Sequence, residues 1–186
     1  IFDYLNSHNE RIHKYGPHLL HCNKNDKALL FLSRFTKWIK YEHRVRALLN
    51  DGSTTPLPIN KITLEDVYKK SFKNEEEVKN FLNNIRSSEI IPKNTDEFFE
   101  ANVGNKLADL FFRPYTKKMW GLDPKDLSVS IGARLPVRTN SDTRYFNDSF
   151  QALPKEGYTK MIQNMLNHEN IKLNLNTNFK KGMEEK

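Results

Sequence analysis

The chain has 186 residues, 37% of them apolar and 28% charged, and a formal net charge of +7. That length suits one globular domain or slightly more. Phe, Leu and Ile spread along it exclude a disordered tail, and no apolar run reaches the roughly 18 residues of a membrane span. No charged-then-apolar leader is visible. The single cysteine, Cys22, excludes an internal disulfide and fits a reducing compartment, so a cytoplasmic location is expected. The positive charge attracts anions such as nucleic acid, acidic lipid or phosphorylated metabolites. Many of the lysines read as solvated surface, and the basic residues form no single stripe, which argues against a nucleic-acid-binding module. The chain opens on Ile1 instead of Met and runs out in charge over 180–186, so a piece of a longer protein is expected.

In chain order, 11–15 (RIHKY) alternates and stops at Gly16, as a short strand does. Asn25 and Asp26 cap a predicted helix running to about Ile39, with Leu29, Leu30, Leu32, Phe35 and Trp38 as its apolar stripe. Segments 44–49 and 54–57 flank Asp51-Gly52 and predict a hairpin. Thr63-Leu64-Glu65-Asp66 resembles a capping box that opens a helix. The 74–85 segment predicts another helix, with Val78, Phe81, Leu82 and Ile85 on one face. Thr95-Asp96-Glu97 caps a further helix through Phe98 and Phe99. From Gly104 the residues Leu107, Leu110, Phe111 and Tyr115 keep helical spacing until Pro114 interrupts or kinks the helix. The 121–144 segment reads as a long functional loop with a short helix. A strand at 150–153, a helix at 157–166 and a final strand at 171–175 complete the chain. The class expected is α+β, with a helical middle and terminal strands that reach towards a sheet outside the chain.

Three groups of residues carry possible chemistry. His13, His18 and His21 invite a zinc reading, but only Cys22 stands near to complete a ligand set. Histidines satisfied by hydrogen bonds near a strand end fit better, and a Gly16-Pro17-His18 turn approaching a ligand or cofactor is a third reading; no metal site is assigned. Phe111, Phe112, Tyr115 and Trp120 could all be core, yet 115–120 (YTKKMW) is too polar for a core strip. Tyr and Trp offer a flat face for a nucleobase or sugar and a polar tip. The 133–145 segment (ARLPVRTNSDTRY) brings Arg134, Arg138, Arg144 and Tyr145 together, and guanidinium groups bind phosphate by paired hydrogen bonds. Arg138 and Arg144 read equally well as surface arginines. Neither GxGxxG nor GxxxxGK[ST] occurs, and no Ser-His-Asp or Cys-His arrangement is defensible. Such a site either only binds or takes its chemistry from a cofactor.

IHKYGPHLLH (12–21), HRVRALL (43–49), LPIN (57–60), YTKKMWG (115–121), ARLPVR (133–138), RYFND (144–148) and GYTKMI (157–162) resemble UDP-galactopyranose mutase in order and spacing. The resemblance runs from about Arg11 to Phe179, and YT-x-x-x-WG followed by R-x-P-V-R and YF is specific to that family. It implies interconversion of UDP-galactopyranose and UDP-galactofuranose through a reduced-flavin N5–sugar adduct, with FAD as cofactor. A homodimeric full-length protein and a part in cell-surface polysaccharide biosynthesis follow from the same resemblance. It implies that Tyr115 stacks on uracil in a pocket lined by Phe111 and Phe112. By the same likeness Thr116 and Trp120 lie near diphosphate and sugar, Arg134 closes over the diphosphate as the catalytic residue of a mobile loop, and Tyr145 binds diphosphate. The likeness adds Asn60 as a further uridine contact and sets Gly16, Pro17 and His18 beside the flavin ring.

The expected division is 1–24 as a strand segment of an FAD-binding domain, 25–135 as a helical sugar-nucleotide domain with the mobile loop, and 136–186 as the return to the sheet. The whole is expected to be part of a flavin amine-oxidase-like fold, inactive alone. The family's pyrophosphate-binding strand–turn–helix and its later arginine and tyrosines are expected outside this chain, and 61–99 diverges from the family. The alternatives are a related amine-oxidase-like flavoprotein or a mutase for UDP-N-acetylgalactosamine.

Overall fold

The computed structural model describes residues 1–87, 89, 91–133 and 136–178, and its mixture of helices and short strands is α+β. The chain divides into two compact units. One combines Ile1–Glu42 with the chain from Phe146 onward, and the other is the continuous stretch His43–Tyr145. These bounds lie at 42/43 and 145/146, beside the expected 24/25 and 135/136.

In the first unit, β1 (Asp3–Leu5) and β2 (Arg11–His13) form an antiparallel ribbon in which Asp3 faces His13. Asn6 closes its turn by accepting from the backbone N–H groups of His8 and Glu10, each at 2.9 Å. A three-stranded sheet has β7 (Phe150–Pro154) at its centre, between β3 (Leu20–Cys22) and β4 (Trp38–Lys40). All its pairings are antiparallel. Helices α1 (Lys27–Leu32) and α7 (Tyr158–Leu166) accompany it.

The N-cap of α7 comes from far away in sequence. Gly157 has no side chain to cap with, so the Asp3 carboxylate accepts from Tyr158 N at 2.7 Å and Thr159 N at 2.9 Å. Gly157 has φ +89°, and a Cβ there would press into Asp3 and Arg11. Burial raises the Asp3 pKa, but the hydrogen bonds from Thr159 and Tyr158 and the charge of Arg11 outweigh it and hold the carboxyl below its ordinary value.

Two expectations fail in this unit. The helix after Asp26 stops at Leu32, because Ser33 turns its hydroxyl back to Leu29 O at 2.6 Å and Trp38 Nε1 donates to that hydroxyl at 2.9 Å. The chain is then free to enter β4, where Ile39 pairs with Leu153. The alternating 171–175 segment is not a strand; Ile171 N instead closes a turn on His168 O at 2.9 Å. The amino-terminal strands pair within the chain.

In the second unit, β5 (Val45–Leu48) and β6 (Thr54–Leu57) form the hairpin, with Gly52 at φ +82° in its turn. Helix α2 (Lys61–Tyr68) is capped by Asn60, not opened by Thr63. Thr63 takes the third helical position and completes a reciprocal box with Asn60. Asn74 caps α3 (Glu75–Ile85), whose first turn holds Glu75, Glu76 and Glu77 against the positive end of the helix. Asn94 caps α4 (Thr95–Leu107), one residue earlier than expected. A π-helical turn, Ala108–Phe112, then leads into α5 (Arg113–Trp120). Pro114 sits in the first turn of α5, directly after the π-helical turn that Arg113 N closes on Ala108 O, so the helix continues past it.

The core of this unit joins Ile59, Leu64, Val78, Leu82, Phe99, Val103, Leu107, Phe111 and Phe112. Each such side chain contributes roughly 1.5–3 kcal/mol by leaving water. The 121–133 stretch holds a 3₁₀ turn (Pro124–Asp126) and α6 (Val129–Gly132). It is tied to α4 by Thr95, which donates from its hydroxyl to Ser128 O at 2.6 Å and from its backbone to Leu127 O at 2.9 Å. A Cβ on Gly132 would come within 2.9 Å of Phe98, so this contact also needs the glycine. The two hydrogen bonds of Thr95 join the described stretch 121–133 to α4.

Candidate functional site

The π-helical turn decides which face of α5 looks outward. In an uninterrupted α-helix, Phe111 and Tyr115 would share a side. The wider turn shifts that register, so Phe111 and Phe112 are both 6% exposed while Tyr115 is 48% exposed. Phe112 stacks on Phe99 with ring centroids 5.0 Å apart. Thr116 turns inward and is buried, whereas Met119, Trp120 and Leu122 are exposed with Tyr115. Gly121, at φ +67°, ends the helix by donating to Lys117 O at 2.9 Å. One end of this unit therefore presents an aromatic and apolar surface that its own core does not use. Met119 and Leu122 belong to it although the sequence reading passed over them; their place beside Trp120 was the available signal.

Tyr145 is half-buried and lies close enough to Tyr115 for the two phenols to interact electrostatically. Burial raises the Tyr145 pKa, and Tyr115 adds to the rise, so its hydroxyl stays a hydrogen-bond donor at neutral pH. Its backbone N donates to His43 O at 2.7 Å, and its ring meets the His43 ring edge-on at 5.5 Å.

The loop that carries Tyr145 is clasped by Arg138, which is 8% exposed. One guanidinium nitrogen donates to Asp142 O at 3.0 Å and to Arg144 O, and the other donates to Tyr145 O at 3.3 Å. Burial lowers the Arg138 pKa; the charge of Asp142 opposes the shift and that of Arg144 adds to it. Arg144 pairs with Asp142 through Nη2–Oδ2 at 2.7 Å and Nε–Oδ1 at 3.1 Å. This pairing, with burial opposing it, holds the Asp142 carboxyl down at about 2. Arg138 and Arg144 are thus framework in this structure, not a free arginine cluster for phosphate.

Asn60 belongs to the same framework. It is fully buried, its amide oxygen accepts from Ile62 N at 2.9 Å, and its amide nitrogen donates to Pro58 O at 3.2 Å and Asp142 O at 3.4 Å. Asn60 and Arg138 together hold the segment that presents Tyr145. Arg134 lies outside the described residues. A depression of about 420 Å³ beside α5 is lined by Asp96, Arg113, Lys117, Asp123 and Lys125. Arg113 there is engaged by Asp96, by Asp109 at 2.8 Å and by Asn105 at 3.0 Å.

In the first unit, Gly16 has φ +98° with open space where a Cβ would be, so a flat group can approach the backbone closely. His18 Nδ1 lies 2.8 Å from Gly16 O and fixes the turn through Pro17. The His13 and His18 rings are parallel at 6.3 Å, and Tyr158 meets both edge-on. Burial, offset in part by a backbone hydrogen bond at Leu20 and reinforced by Asp3, pushes the Tyr158 phenol up to about 12. His21 lies elsewhere, stacked on Phe146 at 3.7 Å with Nδ1 2.9 Å from Asp148. The three histidines therefore do not converge, and no group of three metal-binding side chains occurs among the described residues. No helix among them is long and apolar enough to cross a membrane.

The family model described as UDP-galactopyranose mutase matches residues 110–186, the stretch that begins just before α5 and includes Tyr115, Trp120 and Tyr145. The chain is 37% identical over 168 residues to a probable UDP-galactopyranose mutase of Klebsiella pneumoniae, covering 90% of this chain and 43% of that protein. It is 35% identical over 164 residues to the dTDP-fucopyranose mutase of Escherichia coli, covering 88% and 43%. It is 29% identical over 170 residues to the UDP-galactopyranose mutase of Mycoplasma genitalium, covering 88% and 41%. The chain spans less than half the length of these curated relatives. By the family match and by these relatives, the chain belongs to the UDP-galactopyranose mutase family.

Proposed function

We infer that this chain supplies the sugar-nucleotide site of an isomerase that interconverts UDP-galactopyranose and UDP-galactofuranose, working within a longer protein that uses reduced FAD. The observation that carries the reading is the exposed surface of α5, where Tyr115 and Trp120 are about half exposed and Tyr115 lies near the protonated phenol of Tyr145. In this reading Tyr115 stacks on the uracil, Trp120 lies against the sugar, and the Tyr145 hydroxyl donates to the diphosphate. Arg134 is assigned by resemblance to pair with the diphosphate and stabilise it as it departs. Phe111, Phe112, Thr116 and Asn60 act from behind, setting the pitch of α5 and the height of the Tyr145 loop.

The open face of Gly16 suits the close approach of a flavin ring, with Pro17 and His18 shaping the turn beside it. Gly16, Pro17 and His18 would lie beside such a ring, and a reduced flavin held in the full-length protein would supply the nucleophile that the chain's own residues do not. We assign the flavin amine-oxidase-like fold and the homodimer to the full-length protein on the same basis. A second reading, a thymidine-diphosphate sugar in place of the uridine one, is favoured by the 35% identity to a dTDP-fucopyranose mutase.

The test is a titration of the reduced full-length protein with UDP and with dTDP. Tyr115→Ala should weaken UDP binding by roughly ten- to a hundredfold, the worth of one base–aromatic stack. Unchanged affinity would sink the stacking role, and tighter binding of dTDP would favour the second reading. Reduced, FAD-loaded full-length protein that leaves both UDP-galactose isomers unchanged would overturn the activity.

A further inference from the structure

Basic side chains collect at a second place, in the first unit, where the proposed nucleotide site does not use them. The strand pairing of β4 with β7 puts Trp38 opposite Pro154, and just past that pair Lys155 N donates to Lys37 O at 2.8 Å. Two lysines thus leave adjacent strands side by side, an arrangement that like charges oppose. Arg34 joins them from the turn after α1. Its guanidinium lies over both Phe31 and Phe35, 5.6 and 5.5 Å from the ring centroids, and those rings meet edge-to-face at 5.3 Å. The aromatic pair restrains an otherwise flexible arginine.

Arg34, Lys37 and Lys155 line a basket of about 480 Å³ together with Ser33, Thr36 and Glu156. Among the described residues none of the three cations has a carboxylate within ion-pair distance. Among the described residues Glu156 is the only acid on the rim. The hydroxyls of Ser33 and Thr36 already donate to Leu29 O and Lys37 O, so the cations carry what recognition the basket has. Three unneutralised cations around a concavity, one of them an oriented fork, suit a compact polyvalent oxyanion.

We propose that this basket is a phosphate-binding site separate from the nucleotide site, taking a diphosphate or phosphomonoester group through Arg34, Lys37 and Lys155. Free phosphorylated metabolites and anionic lipid headgroups present the same chemistry, and the experiment separates them. Full-length protein saturated with UDP is titrated with inorganic pyrophosphate by calorimetry. It is separately sedimented with phosphatidylcholine vesicles with and without phosphatidylglycerol. The triple variant Arg34→Gln, Lys37→Gln, Lys155→Gln should lose at least about tenfold in affinity for whichever probe binds, as expected for lost charge-assisted hydrogen bonds. Lys172→Gln, which removes one charge without lining the basket, should leave binding unchanged. Pyrophosphate binding lost in the triple variant supports a soluble ligand, and vesicle binding lost in it supports a headgroup. Absence of both, or binding that survives in a triple variant with an unaltered melting temperature, overturns the proposal.

Discussion

Arg138 and Arg144 were legible as members of an arginine-rich loop, but not their duties. A guanidinium serves a phosphate or a set of carbonyls equally well, and only the fold decides which lies within reach. Here the carbonyls of Asp142, Arg144 and Tyr145 converge on Arg138. Replacing Arg138 with Met keeps the apolar stem and strands those acceptors, so thermal melts should report a loss of about 2–4 kcal/mol. Asn60 makes the same point: an amide's partners are invisible until the turn around it is known. The Asp142–Arg144 pair gives a pH dependence. The Asp142 pKa falls from 3.8 to about 2 on folding, so its stabilisation is complete above roughly pH 4 and disappears as pH drops towards 2. Discounted for partial exposure, it amounts to about 1–2 kcal/mol. Acid titrations of wild type and Asp142→Asn followed by circular dichroism should converge across that window; a constant gap between the curves would refute the linkage.

Elements whose signals are local were readable. Asn74 before three glutamates, Asp51-Gly52 between alternating strands, and Gly157 before an amphipathic run each announce a start or turn within a few residues. Elements whose partners are distant were not. Strands β3 and β4 are three residues each, and neither pattern shows that both lean on β7, where Leu20 meets Ala152 and Lys40 meets the same residue from the other side. The reverse error occurred at 171–175, where good alternation lacks a partner among the described residues. The π-helical turn left no signature in the spacing, yet it turns Tyr115 outward, so a candidate site residue was found while its exposure was not. Gly104 is the clearest case of tertiary demand on an element. It breaks α4 at φ +76°, and a Cβ there would fall on the carbonyl oxygen of Ile85. Gly104→Ala should cost about 2–4 kcal/mol, measured by urea denaturation; a loss under 1 kcal/mol would mean that α3 yields easily.

At the scale of the molecule, the α+β class was legible from the mixture of periodicities, whereas the unit boundaries depend on contacts that close over long stretches of chain. His43–Tyr145 is continuous and has its own core of Phe99, Leu107, Phe111 and Phe112. Expressed alone, residues 43–145 should give a helical spectrum and a single cooperative melt; a non-cooperative melt would show that the core needs the rest of the chain. The first unit is built from two separated stretches, and β7, the middle strand of its sheet, comes from the second. That placement has a consequence during synthesis. Strands β3 and β4 leave the ribosome with their pairing edges bare, and even β4 waits for roughly 110 further residues before Phe150 emerges. At roughly 5–20 residues per second the wait is of order 5–20 s, long enough for the inserted unit to finish folding while its host is still incomplete. The Asp3 carboxylate waits still longer, since the helix it caps begins at Tyr158. The nascent chain therefore sets its continuous unit first and completes the divided one only when β7 arrives.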